Sequence, residues 1–169
     1  MLKLARFFLL ALAALFLAST LGLRAQAQTV VKVTLWDKGE TSMDMVGMHE
    51  VIGLAVPGAN PALATMGITL DVAEVPAGVI RFQILNDSLE FYHAVVISPV
   101  NDPMVPLPYL IEEQRVDEAA AGVTANLREL KSHASATKKV TLGPGTYILY
   151  CNISGHYAMG MWTLLTVTP

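Results

Sequence analysis

The stretch "VIRFQILND" constrains this chain more than any other. Ile80, Phe82 and Ile84 alternate with Arg81 and Gln83, so an extended backbone sends all three apolar side chains to one side, whereas a helix would scatter them around its circumference. The same period of two runs through Val31, Val33 and Leu35 within Val30 to Trp36. "GITLDVAE", "FYHAVVIS", "KKVTL", "TYILYC" and "WTLLTV" are further short runs, rich in β-branched and aromatic residues and punctuated by turns such as "VPAG" and "GPG". Short strands divided by Gly/Pro turns predict an all-β Greek-key sandwich.

Two stretches interrupt the pattern. Residues 37 to 66 are less regular, with a Met-rich patch "MDMVGMHE" and then "VPGANPAL", whose Pro and Gly break any long element. A long insertion from Val100 to Lys139 opens with the proline-punctuated "NDPMVPLPY" and continues into "RVDEAAAGVTANLRELKSH". That segment predicts one or two short helical turns before the last strands, with Asp117 as N-cap and Gly122 as an interruption.

Residues 1 to 27 read as an address label. Lys3 and Arg6 precede an apolar run from Phe7 to Leu17, and Ala25-Gln26-Ala27 forms a small-x-small cleavage pattern. The run is short against the roughly 20 residues of a membrane span, so the expectation is a removed signal, an exported or periplasmic location, and one domain over residues 28 to 169. An uncleaved anchor is the competing reading. Without Lys3, Arg6 and Arg24 the formal charge goes from −3 to −6. Such an acidic chain lacks the basic stripe that nucleic acid requires and is drawn towards basic partner surfaces.

The chain holds 1 cysteine, so it cannot close an internal disulfide even where export permits one. Cys151 stands in "YCNISGHYAMGMW", five positions before His156 and ten before Met161. Thiolate and thioether favour Cu(I), and imidazole accepts both copper oxidation states. Two imidazoles and a thiolate in one plane, with a long axial thioether, form the blue-copper arrangement. The loop lacks one imidazole, and His93, on the strand "FYHAVVIS", is the candidate to supply it.

With His93 in "NDSLEFYHAVVI" and the pattern C-x4-H-x4-M in "GPGTYILYCNISGHYAMGM", the chain resembles the cupredoxins, the small blue copper proteins that include plastocyanin, azurin and amicyanin. The resemblance covers residue 68 to the end, with Val30 to Trp36 as the first strand. It implies a cupredoxin-type sandwich and one type 1 copper ion held by His93, Cys151, His156 and Met161. It also implies single-electron exchange with redox partner proteins near His156, in a monomer. Ala94 departs from the polar residue that many members carry after the strand histidine; Asn152 is the candidate to compensate.

Other readings of these residues are weaker. Met159 competes with Met161, but the spacing favours Met161 and places Met159 with Tyr157 and Ala158 in an apolar docking patch around His156. Met43, Met45, Met48 and His49 suggest a second, Cu(I)-binding site, and with it an alternative role as a copper chaperone or store; core filling by methionine is the plainer reading. His133 reads as solvated, and Glu112, Glu113, Asp117 and Glu118 as a wet charged surface able to steer a basic partner. No enzyme is expected. Multicopper oxidases and copper nitrite reductases place histidine beside the cysteine, where this chain has Tyr150 and Asn152. The dinuclear purple-copper site needs two cysteines, and no HExxH or GxSxG motif is present.

Overall fold

The computed structural model describes residues 28–44 and 51–169. The leader, and with it the expected cleavage site, lies outside the described residues, as do Met45, Met48 and His49. Among the described residues no helix is long and apolar enough to cross a membrane.

The described residues form eleven strands in chain order: β1 (Thr29–Asp37), β2 (Met66–Leu70), β3 (Glu74–Pro76), β4 (Gly78–Asn86), β5 (His93–Val100), β6 (Tyr109–Leu110), β7 (Arg115–Val116), β8 (Ala125–Leu130), β9 (Ser135–Leu142), β10 (Gly145–Tyr150) and β11 (Trp162–Thr168). They form one sheet in the order β2-β1-β4-β9, a second in the order β3-β11-β10-β5-β8, and a small ribbon of β6 and β7. β1 runs parallel to β4, and β3 parallel to β11. The expected all-β sandwich is the fold.

The alternating residues meet between the two large sheets. Val31, Val33 and Leu35 of β1 and Ile80, Phe82 and Ile84 of β4 join Val95, Ile97, Leu149 and Leu165 of the second sheet in one buried cluster, which also takes in Cys151. Each fully buried side chain of this size contributes about 1.5–3 kcal/mol of hydrophobic stabilisation. β5 differs from β1 and β4 because it is buried on both faces. Its outward residues Val96 and Val100 join Ile148, Tyr150 and Tyr157 in a second cluster, covered by Leu54, Val116 and Ala121 from the two irregular stretches. The first part of the insertion, up to Ala121, therefore lies over the outer face of the second sheet.

Within it, α1 (Glu118–Ala121) is a single turn. Asp117 caps it by accepting from Ala119 N and Ala120 N at 3.0 and 3.1 Å, and Gly122 ends it at φ 65°. The second expected helical turn is absent. "ANLREL" instead forms β8, which pairs with the open edge of β5; Ala125 and Leu127 pack on the main core from there. Long-range pairing overrides the modest helix propensity of that segment. Part of the expected "VPAG" turn is likewise β3, held by β11.

Candidate metal centre

His93 opens β5. The register with β8 shifts between His93 and Val95, and the amide between them, Ala94 N–H, donates instead to Cys151 Sγ at 3.2 Å. A backbone bulge at the strand end thus ties the two ligand segments directly. The polar side chain missing at position 94 is not needed for that tie.

Cys151 follows the end of β10, and its N–H donates to Met161 O at 3.0 Å. Met161 N in turn donates to His156 O at 3.2 Å, and Met159 N to Gly155 O at 3.0 Å. The loop from Cys151 to Met161 closes on itself as a compact knot of turns. Gly160 is required in it: φ is 93°, and a Cβ there would sit 2.6 Å from that of Ala64.

The knot brings three donor atoms together. His93 Nδ1 lies 3.1 Å from His156 Nδ1, and Cys151 Sγ lies 3.4 Å from His156 Nδ1. All three ligand atoms fall within 4.8 Å of one another, and all three side chains are buried. Met161 is fully buried in the same core cluster as Cys151, with its backbone bonded to Cys151 and His156. His93, Cys151 and His156 therefore converge on one end of the sandwich, with the Met161 backbone tied to two of them.

Burial keeps the donors neutral. It lowers His93 and His156 to about 4 and pushes the Cys151 thiol up to about 11, with the Ala94 N–H acting the other way. Two neutral imidazoles and a thiol, converging out of water, fit a cation that displaces the thiol proton. The donor set and its spacing can hold one metal ion.

Asp37, at the end of β1, escaped the sequence reading. Its Oδ2 is 3.7 Å from His93 Nε2, with both side chains fully buried. Its Oδ1 accepts from Gly39 N at 2.7 Å and Leu89 N at 3.1 Å, and Oδ2 accepts from Phe91 N at 3.2 Å. Burial raises its pKa, but these backbone donors outweigh that and hold it below the ordinary value. Among the described residues His93 Nε2 has no hydrogen-bond partner, and Asp37 is the charge it faces. An Nε2–H turned towards that carboxylate leaves the Nδ1 lone pair for the site. The signal in the sequence was a lone acid closing an apolar strand.

Asn86 is a second missed residue. Its Nδ2 donates to Phe91 O at 2.9 Å and Leu130 O at 2.8 Å, and its Oδ1 takes the Ser88 hydroxyl. It braces the turn that delivers His93.

Two expectations need correction. Asn152 does not tie the Cys151 loop to the His93 strand. Its side chain accepts from Val116 N at 2.8 Å and donates to Val116 O at 3.0 Å and Glu118 Oε1 at 2.9 Å, which fastens the loop to the insertion. Glu118 and Asp117 thereby serve structure as well as charge. The apolar patch around His156 is also not at the surface. His156, Tyr157, Ala158 and Met159 are 3%, 1%, 7% and 3% exposed. The segment after residue 50 covers them, through Ile52 N to Ala158 O at 2.7 Å, Leu54 N to Tyr157 Oη at 2.9 Å and Thr65 N to Met159 O at 3.3 Å. Of the Met-rich patch only Met43 is described, and it packs on the main core. His133 is exposed, as expected.

No protein-family profile matches the chain, and no curated protein aligns with it in sequence. Solved structures do share its shape. Rusticyanin from Thiobacillus ferrooxidans superposes with a TM-score of 0.51 at 16% identity, over 84% of this chain and 79% of that one. A rusticyanin variant reaches a TM-score of 0.52 at 17% identity over the same shares, 84% and 79%. Auracyanin from Roseiflexus castenholzii is 21% identical over 85% of this chain and 98% of that one, with a TM-score of 0.48. The chain therefore has the fold of rusticyanin, which is a cupredoxin.

Proposed function

We propose that this chain, with a cupredoxin fold and a buried cluster of two imidazoles and one thiol at its end, is a blue copper protein that carries single electrons. The observation that carries the reading is the convergence of His93 Nδ1, Cys151 Sγ and His156 Nδ1 within 4.8 Å of one another. Bound there, copper would supply a one-electron couple between Cu(I) and Cu(II).

The residues divide the work. His93, Cys151, His156 and Met161 would hold the copper, the thiolate and thioether favouring Cu(I) and the imidazoles accepting both oxidation states. Ala94 N–H limits the negative charge on the sulfur by donating to it. The two backbone bonds of Met161 fix the loop, and Asp37 fixes the His93 ring. A frame tied in this way resists rearrangement when the metal changes charge, which keeps the barrier to electron transfer low.

Export fits the same reading: residues 1 to 27 have the build of a secretory signal, with residues 28 to 169 as the exported domain and redox proteins as its partners.

The test is optical and paramagnetic spectroscopy of the protein with added Cu(II), beside Cys151→Ser. The expected result is an intense thiolate-to-copper charge-transfer band with narrow copper hyperfine splitting, both lost in the variant. Weak copper spectra that survive the loss of Cys151 would refute the carrier and turn attention to copper delivery or storage.

A further inference from the structure

We infer that the tip of the β6–β7 hairpin, together with the cleft it walls, is the face on which an electron-transfer protein with an apolar centre and a lysine or arginine rim docks. The inference rests on the carrier reading and deepens it by naming the partner's chemistry.

The loop edge is closed to such a partner. His156 is 3% exposed and its apolar neighbours lie beneath the segment after residue 50. An incoming protein therefore meets other groups first. The hairpin is bonded to the ligand loop through a side chain and the backbone: Gly155 N donates to Gln114 O at 2.9 Å and Ser154 Oγ to Glu113 O at 3.1 Å. From the His156 ring the tip is one peptide and one hydrogen bond away. A second connection runs through rings, because Tyr109 of β6 lies 5.8 Å from Tyr157, the neighbour of His156 in the chain.

Beside the hairpin a cleft of about 480 Å³ opens between Arg115 and Tyr92, and Ala94 and Asn152 line it. Ala94 follows His93 in the chain and Asn152 follows Cys151, so the cleft reaches the residues next to two of the ligands. Nearby surface is unusually apolar for exposed loops. Ile111 is 77% exposed, Leu110 39% and Tyr92 53%. Exposed Glu112 and Glu113 stand at the tip, and exposed Glu129 lines the cleft along with Arg115, the hairpin's one basic residue.

An apolar centre with a charged rim is the anatomy of a transient interface. The excess of acid selects a basic rim on the other side, and the overall negative charge acts in the same direction at longer range. Docking here brings the partner's metal centre towards the Cys151 and His156 segments. One electron crosses, one metal is oxidised and the other reduced, and no proton or bond changes place.

The copper-loaded protein is mixed with a lysine-rimmed cytochrome c as probe, and the second-order electron-transfer rate is followed at rising salt. The rate is expected to fall with salt. Glu112→Lys combined with Glu113→Lys should slow it about tenfold or more at low salt and remove the salt slope. Ile111→Ser should slow it about fivefold with the slope kept, the loss of one apolar anchor. Lys138→Glu, on β9 of the other sheet, should change it little. The charge-transfer band and potential of each variant must match the parent, which separates docking from damage to the site. Unchanged rates in the hairpin variants with intact bands overturn this docking face alone. Absence of the band in the parent overturns the carrier reading and this inference together.

Discussion

Asp37 Oδ2 lies 3.7 Å from His93 Nε2, and neither side chain has exposed surface. The same carboxylate accepts backbone N–H groups from Gly39, Leu89 and Phe91. One side chain therefore joins the end of β1, the turn before β5 and the ring of a proposed ligand. Asp37→Asn keeps the shape but offers one accepting oxygen in place of two. Cu(II) affinity should fall about 10–100-fold, the usual effect of losing a ligand's orienting partner. The metal-free protein should lose about 1–3 kcal/mol from the unpaired N–H groups. Competition titration and denaturant unfolding separate the two effects. A loss of stability with unchanged affinity would reduce Asp37 to a loop brace.

The pH response follows from burial. His93 and His156 titrate near 4 in the folded chain against 6.5 ordinarily, so below 6.5 the unfolded chain takes up protons that the folded one refuses. Their contribution to stability is present above pH 6.5 and lost as pH falls through 4, with a limiting slope of about 1.4 kcal/mol per pH unit for each histidine. Cys151 has the opposite sense. Its thiol is raised from 9.0 to about 11, so its contribution is present below 9 and lost as pH rises through 11. Between 6.5 and 9 these three groups leave the metal-free protein's stability flat. Metal uptake in that window displaces the one thiol proton, so Cu(II) affinity should rise about tenfold per pH unit. Denaturant unfolding across both windows and a pH series of metal titrations measure these slopes. A flat affinity would mean that the thiolate is not a ligand.

Asn152→Ala should release the insertion from the ligand loop. The side chain satisfies both Val116 N and Val116 O, and Val116 is buried, so truncation leaves two buried backbone groups unpaired at about 1–3 kcal/mol each. The expected outcome is lower stability together with faster amide exchange in β6 and β7. Protection unchanged in that ribbon would show that the contacts of Gly155 and Ser154 suffice to hold it.

What could be read from the sequence was local. Cys151, His156 and Met161 sit within one loop, so their spacing already fixes their proximity, and His93 could be added because strand alternation and aromatic content marked its strand. Asp117 and Gly122 were legible for the same reason, since a cap acts on its immediate neighbours. Asp37 was not, because it meets Phe91 across 54 positions and only the packed sandwich brings the two turns together. β8 was missed because the open edge of β5 decides its conformation. The burial of Tyr157, Ala158 and Met159 was missed because the segment covering them has no periodicity to announce where it packs.

Met161 and Met159 are both buried, 0% and 3% exposed, so burial does not single out the thioether proposed to join the site. Backbone geometry does favour one. Both donate their N–H to His156 O, but Met161 O accepts from Cys151 N, whereas Met159 O is taken by Thr65 N. Leucine at either position conserves volume and should cost less than about 1.5 kcal/mol, which leaves the fold intact and isolates the thioether. Met161→Leu should keep the intense charge-transfer band, because the thiolate remains, while shifting the reduction potential, because the axial donor tunes it. Met159→Leu should leave both unchanged. Voltammetry of the two variants decides the matter: a shift confined to Met159→Leu would reassign the axial position, and no shift in either would leave copper with three protein ligands.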